Sequence, residues 1–288
     1  MACPSLLEVL VSVAQLPDSG PDIYASEGPL IQQPVGEDAF GGSILGQAVS
    51  AVNSTVPSGF DIYSAQSSFL RPIKANQAVA YHVDRIADGR TSCTRIVRAT
   101  QGGGPCRICG PQARRGRAHP ADLPRQGFEQ IGFQIGQEDK LARLGVRAEE
   151  PFDWRLLPLQ PERDPSQPRA CGFVRASATT PLTHSAAVSM ASLALLSDQS
   201  LFELSLFANW DSAPDSWRRL AMTISLNSRI SFHVSTAKLD EWMVCDSGIS
   251  WGANGRLSTN QRFWSHETGE LLMTCSQDAV ISRQESAL

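Results

Sequence analysis

The chain has 288 residues, of which 42% are hydrophobic and 19% charged. This composition excludes a wholly disordered protein, and no apolar run approaches the roughly 18 residues that a membrane-spanning helix needs. Basic and acidic residues number 25 and 29, for a net charge of -4, which argues against a surface built to bind nucleic acid. With about 150 residues per domain as a guide, the length predicts two domains or one large one.

The first half of the chain predicts helices followed by an antiparallel sheet. Apolar spacing indicates a short helix over residues 6–16, and the proline-rich stretch 17–36 is typical of loop and edge strand. A second helix begins at the Phe-Gly-Gly-Ser sequence of residues 40–43 and carries small and apolar residues before Pro57 ends it. Period-two alternation then predicts three strands, at 60–70, 77–86 and 91–101.

The next segment, residues 102–126, is rich in glycine, proline and arginine and has no alternation. Pro105 and Pro111 cannot donate to a strand ladder, so a central strand is not expected here. Two interpretations stay open: a divergent surface loop, or a stretch translated in a shifted frame of a G/C-rich gene. Cys106 and Cys109 have the CxxC spacing, but no second such pair stands at metal-ligand spacing, so we predict no metal site.

The second half repeats the order of the first. A small-residue helix is predicted over 185–196, and strands are predicted at 222–234, 241–251, 257–266 and 270–281. The sequence therefore predicts an α+β fold made of two copies of a helix and an antiparallel sheet. We place the first copy at 1–136, with the irregular segment inside it, and a linker at 137–170. The second copy is placed at 171–288.

The candidate site residues are unremarkable when each is taken alone. No serine is predicted at a GxSxG elbow, the sharp turn from a strand into a helix, so a serine hydrolase of the α/β type is not predicted. Gly41 and Gly42 leave bare backbone at a helix N-terminus, which suits either a developing oxyanion or close helix packing. Asp198 follows the second-half helix, Ser225 opens a strand, and Gln277 lies on the last strand.

Several segments resemble the acyl-CoA thioesterase II family in order and spacing. They are FGGSILGQAVSAV, FLRP and DGRTSCTRIVRATQGG in the first half, and ASLALLSD, SLNSRISFH, GRLSTNQRFWSHETGELL and SQDAVISR in the second. The resemblance implies a double hotdog, in which each of two units in one chain is a long helix wrapped by an antiparallel sheet.

The resemblance also implies a catalytic site formed by Asp198, Ser225 and Gln277. Their side chains would hold a water molecule, with the carboxylate as general base, while backbone N–H groups at Gly41 and Gly42 would stabilise the oxyanion. No cofactor and no metal are implied. The chain departs from the family where histidines usually precede the first Arg-Pro; it has Tyr63 and Gln66 in that stretch.

We therefore expect an acyl-CoA thioesterase that acts on medium or long acyl chains. Two alternatives stay open: a release or editing hydrolase for carrier-bound acyl or polyketide chains, and a non-catalytic double hotdog that binds acyl chains. The resemblance makes a homo-oligomer through the hotdog sheets plausible. The scattered cysteines, the N-terminal sequence and the terminal Ser286-Ala287-Leu288 suggest a cytoplasmic or peroxisomal location.

Overall fold

A computed structural model of the chain describes residues 4–33, 36–115, 142–143, 151–157, 169–177, 182–183, 185–199 and 220–283. The chain divides into two compact units. The first comprises Met1–Ala121, Ala178–Gln199 and Arg229–Asp240. The second comprises Asp122–Ser177, Ser200–Ser228 and Glu241–Leu288. The repeat boundaries expected from the sequence stay predictions.

Helix α1 (Leu6–Val11) begins at a capping box. The Ser5 hydroxyl accepts from the backbone N–H of Glu8, whose carboxylate accepts from the N–H of Ser5. The predicted extension of this helix to residue 16 is wrong. Residues Val13–Gln15 form strand β1 and pair with strand β2 (Ile23–Ser26), so sheet pairing takes priority over the helical spacing.

Helices α2 (Gly41–Asn53) and α3 (Ala186–Leu196) confirm the two predicted small-residue helices, and they pack against each other in the first unit. A Cβ on Gly42 would lie 2.5 Å from the carbonyl oxygen of Leu195, and one on Gly46 would lie 2.9 Å from that of Ala191. Because no side chain fits in these gaps, the glycines allow the two helix backbones to approach closely.

The sheet of the first unit contains β3 (Phe60–Phe69), β4 (Ala80–Asp88), β5 (Ser92–Gln101), β6 (Gly104–Cys109) and β7 (Gln112–Arg115). The strand order is β1-β2-β4-β5-β6-β3, and β7 pairs with both β3 and β5. All these pairs are antiparallel. Helix α2 packs on β3, β4 and β5, so the helix lies against the sheet as the sequence predicts.

The expectation of no strand in the irregular segment is wrong for its described part. Strands β6 and β7 lie end to end between β3 and β5. Pro105 lies at a register shift, opposite Thr100, and Pro111 lies in the break between the two strands. The backbone at the break is still paired, because Gly110 donates to the carbonyl of Gln66 and Pro111 accepts from the N–H of Arg95. Both prolines thus stand where the ladder needs no donor.

The second unit contains β8 (Ala142–Arg143), β9 (Phe152–Leu156), β10 (Arg169–Ala176), β12 (Met243–Ala253), β13 (Arg256–Ser265) and β14 (Leu271–Arg283). Strand β11 (Leu220–Phe232) precedes β12 in the chain. The order is β11-β14-β13-β12-β10-β9-β8. Strands β8 and β9 fall inside the stretch predicted as a linker, and β9 pairs with β10. Phe173, Val244 and Trp264 form a core cluster on these strands.

An ion-pair cluster around one buried carboxylate joins three strands of the second unit. The Asp246 side chain on β12 is only 4% exposed and accepts from Arg169 on β10 and from Arg262 on β13. Burial opposes its ionisation, but the hydrogen bonds and charges of the two arginines outweigh that effect and lower the pKa of Asp246. The cluster therefore holds β10, β12 and β13 in register.

Candidate functional site

Asp198 follows the last turn of α3, in the first unit. Its N–H donates to the carbonyl of Leu195, and the preceding Ser197 closes the helix through its hydroxyl and the carbonyl of Ala194. The residue is 9% exposed. A carboxylate at a helix C-terminus is disfavoured by the helix dipole, and burial adds to that cost. A carboxylate in this position needs compensating positive charge or hydrogen-bond donors nearby.

Gly41, the first residue of α2, lies against this carboxylate. A Cβ on Gly41 would lie 2.7 Å from Oδ2 of Asp198 and 2.4 Å from the ring of Phe69. The N-cap residue of α2, Phe40, makes no side-chain capping hydrogen bond. The Asp198 carboxylate therefore lies beside a helix N-terminus whose dipole favours negative charge.

The two glycines have different surroundings. Gly41 borders Asp198, whereas Gly42 faces the carbonyl of Leu195 and the ring of Phe40. Close helix packing thus requires the absence of a side chain at Gly42, and the oxyanion role of its backbone N–H stays a prediction. Only Gly41 is required by the position of the carboxylate.

Arg107 on β6 is the part of this group that the sequence did not reveal. Its side chain is 1% exposed. Nη1 donates to the carbonyl oxygen of Gly41 at 2.7 Å, and Nη2 donates to the hydroxyl of Ser67 at 2.7 Å. Its guanidinium carbon lies 3.7 Å from the centre of the Phe69 ring, since Arg107 and Phe69 are paired across β6 and β3. Burial lowers the pKa of Arg107, and the charge of Asp198 opposes that shift.

Ser225 and Gln277 form the second group, in the second unit. Gln277 lies on β14 opposite Thr259 of β13 and is 2% exposed. Its side-chain amide donates to the hydroxyl of Ser225 on β11. A hydroxyl that accepts from a buried amide is fixed in orientation. The pair can therefore orient a polar molecule.

The structure thus brings the predicted residues together in two groups, each within one unit. Asp198 lies with Gly41 in the first unit, and Ser225 lies with Gln277 in the second. Arg107 was missed because the glycine- and proline-rich segment that carries it has no strand periodicity. The register of β6 against β3 gives it its position, and no local sequence signal indicates that register.

The CxxC cysteines lie on β6 and are buried. Burial raises the pKa of Cys109 to about 11, so this thiol is protonated at neutral pH.

Among the described residues, no three histidine, cysteine, aspartate or glutamate side chains are grouped closely enough to hold a metal ion. Within the same residues, no helix has the length and apolar character that crossing a membrane requires.

Two family models match the chain. The model of the acyl-CoA thioesterase N-terminal domain matches residues 31–110, and that of the C-terminal domain matches residues 120–281. Acyl-coenzyme A thioesterase 8 of Mus musculus is 26% identical, over 96% of this chain and 90% of its own length. The Homo sapiens protein of that name is 24% identical, over 84% of this chain and 80% of its own length.

Solved structures resemble the fold across nearly the whole chain. An acyl-CoA thioesterase II, TesB2, from Mycobacterium marinum superposes with a TM-score of 0.76 at 19% identity, covering 99% of this chain and all of its own. A hot dog fold protein from Alicyclobacillus acidocaldarius superposes with a TM-score of 0.74 at 13% identity, covering 98% of this chain and all of its own. The predicted double hotdog class is confirmed.

Proposed function

The chain belongs to the acyl-CoA thioesterase family and is a thioester hydrolase, and we propose that Asp198 is the general base that activates the attacking water. The observation that carries this proposal is the position of the carboxylate. Asp198 is nearly buried, lies at the unfavourable end of α3, and faces the N-terminal residue of α2. A nearly buried carboxylate held between the C-terminus of one helix and the N-terminus of another is a candidate for a catalytic role.

The reaction requires a base for water and donors for an oxyanion. Water attacks the thioester carbon and gives its proton to Asp198, while the carbonyl oxygen becomes negatively charged. N–H groups in the first turn of α2, at Gly41 and Gly42, are suited to stabilise that charge. The first N–H groups of a helix have no acceptor within the helix, and the helix dipole is positive at this end. The carbon–sulfur bond then breaks, and the CoA sulfur leaves as a thiolate.

The leaving group makes a strong general acid unnecessary for this reaction. A thiolate is a good leaving group, with the pKa of an ordinary thiol near 8.5, so it departs without prior protonation. The proton held by Asp198 passes to solvent or to the departing sulfur, and the carboxylate is restored. The chemistry as proposed uses water, a carboxylate and backbone donors, with no cofactor.

We assign Ser225 and Gln277 the role of holding the water. The hydrogen bond from the Gln277 amide to the Ser225 hydroxyl supports this assignment, because it fixes a hydroxyl that can then bind the water in one orientation. The family resemblance assigns these two residues and Asp198 to one site.

For the substrate we propose acyl-CoA with a medium or long acyl chain. The supporting observation is the family membership, since both matched models are acyl-CoA thioesterase domains. The experiment follows free thiol release from octanoyl-, lauroyl- and palmitoyl-CoA, with the same acyl chains on a phosphopantetheine carrier protein as the matched comparison. Faster release from CoA supports the proposal. Faster release from the carrier favours the release or editing hydrolase, and tight acyl-CoA binding without thiol release favours the non-catalytic alternative.

Two further features of the function are proposals of the same kind. Association of chains through their hotdog sheets predicts a sedimentation coefficient above that of a monomer. A cytoplasmic or peroxisomal location remains an expectation; the terminal tripeptide on which it rests lies outside the described residues.

A further inference from the structure

Two arginines, Arg95 and Arg107, are among the largest fully buried side chains of the described residues, each 1% exposed. Burying a guanidinium is costly unless its donors and its charge are matched. Arg95 is matched by structural partners: the hydroxyl and carbonyl of Thr55, and the carboxylate of Asp88 at 2.6 Å. Two of the groups that Arg107 contacts, the Gly41 carbonyl and the Phe69 ring, belong instead to the surroundings of Asp198.

We propose that Arg107 is a positioning residue of the hydrolase, which fixes the first turn of α2 against β3 and keeps Asp198 ionised. The inference rests on the proposed role of Asp198 as the base. Arg107 lies on β6, in the glycine- and proline-rich segment. The catalytic residues that the family resemblance implies lie in the second half of the chain.

The first half of the proposal follows from contacts. Nη1 of Arg107 bonds the carbonyl of Gly41, Nη2 bonds the hydroxyl of Ser67, and the guanidinium covers the Phe69 ring. The same ring and Oδ2 of Asp198 are the two nearest groups to the position that a Cβ on Gly41 would take. One guanidinium therefore connects the start of α2 to β3 at the point where the carboxylate lies.

The second half follows from charge. Besides Asp198, the titratable groups whose charges act on Arg107 are the Tyr81 hydroxyl on β4 and the Cys109 thiol on its own strand. Burial raises the pKa of both, that of Cys109 to about 11, so both are neutral near pH 7. Among these described groups, Asp198 is the carboxylate. A buried cation favours the ionised form of a nearby carboxylate, which is the form that a general base needs.

The test compares the pH dependence of kcat for Arg107→Gln, Arg107→Lys and the control Arg95→Gln, using an acyl-CoA that the unchanged enzyme hydrolyses. Arg107→Gln removes the charge, so the acidic limb of the profile is expected to move up by about one pH unit, with kcat about tenfold lower. Arg107→Lys keeps the charge, but its ammonium group cannot bond both the Gly41 carbonyl and the Ser67 hydroxyl as the guanidinium does. The acidic limb of the profile is therefore expected to stay in place while kcat falls. Arg95→Gln lowers Tm and leaves the profile unchanged.

A folded Arg107→Gln protein with an unmoved acidic limb would overturn the electrostatic role. If Arg107→Gln does not fold, Arg107→Lys decides the positioning role, and an unchanged kcat in that variant overturns it. Asp198→Asn run in the same assay separates this inference from the proposed function. An inactive Asp198→Asn beside an unaffected Arg107→Gln rejects only the role of Arg107, whereas an active Asp198→Asn rejects the base itself.

Discussion

Replacing Gly41 with alanine tests whether the Asp198 carboxylate must lie where the structure places it. The new Cβ would lie 2.7 Å from Oδ2 of Asp198 and 2.4 Å from the Phe69 ring. Ordinary contacts between such atoms are about 3.5 Å or longer, so the carboxylate must retreat by roughly 0.8 Å. A misplacement of about 1 Å can cost a catalytic group a hundredfold in rate, so kcat is expected to fall about ten- to hundredfold.

Gly46→Ala is the matched control, because Gly46 lies in the same helix and borders α3 without bordering the carboxylate. Its Cβ would lie 2.9 Å from the carbonyl oxygen of Ala191, a backbone atom that cannot yield without moving the helix. Overpacking of this kind costs about 1 to 3 kcal/mol, and the better helix propensity of alanine returns up to about 1 kcal/mol. This variant is therefore expected to lose stability and to keep its kcat.

The assay measures kcat by free thiol release from an acyl-CoA and Tm by thermal unfolding for both variants. We expect Gly41→Ala to lose mainly activity and Gly46→Ala to lose mainly stability. A wild-type kcat in folded Gly41→Ala would show instead that the carboxylate can be displaced without consequence for the chemistry.

Three further predictions concern other parts of the molecule. Ser225→Ala should lower kcat about tenfold by removing the hydroxyl that Gln277 holds, and Ser225→Thr should retain most of the activity; equal rates for both variants would remove Ser225 from the mechanism. Cys109 should resist iodoacetamide at pH 8 until the protein is unfolded, because burial raises its pKa to about 11, and mass mapping of labelled peptides checks this. Asp246 has a pKa below its ordinary value, so its contribution to the free energy of unfolding is present near neutral pH and is lost on acidification below about pH 4; urea melts of Asp246→Asn and the unchanged chain should converge there.

Local sequence patterns predicted the elements that form the double hotdog. Residues 41–53 and 186–196 are helices because their small and apolar residues suit buried, closely packed helix faces. The alternating segments became strands β3, β4 and β5 in the first half and β11 to β14 in the second. These patterns succeed because each element's periodicity agrees with its burial.

The failures lie where long-range pairing determines the structure. Periodicity extended α1 past Val11, but pairing with β2 converts the following residues to a strand. Pro105 and Pro111 argued against a strand in the segment that became β6 and β7, because the sequence does not show that they fall at a register shift and at a break. Arg107 could not be selected for the same reason: its neighbours Gly41, Ser67 and Phe69 are distant in sequence.

The most direct test of the central claim, that Asp198 is the general base, is the kcat of Asp198→Asn for an acyl-CoA that the unchanged enzyme hydrolyses. Asparagine keeps the size of the side chain and cannot accept a proton, so kcat is expected to fall by about a hundredfold or more. Asp84→Asn is the control; it removes an exposed carboxylate that pairs with Arg98 on the neighbouring strand and should leave kcat unchanged. An Asp198→Asn enzyme that turns over at the wild-type rate would contradict the account.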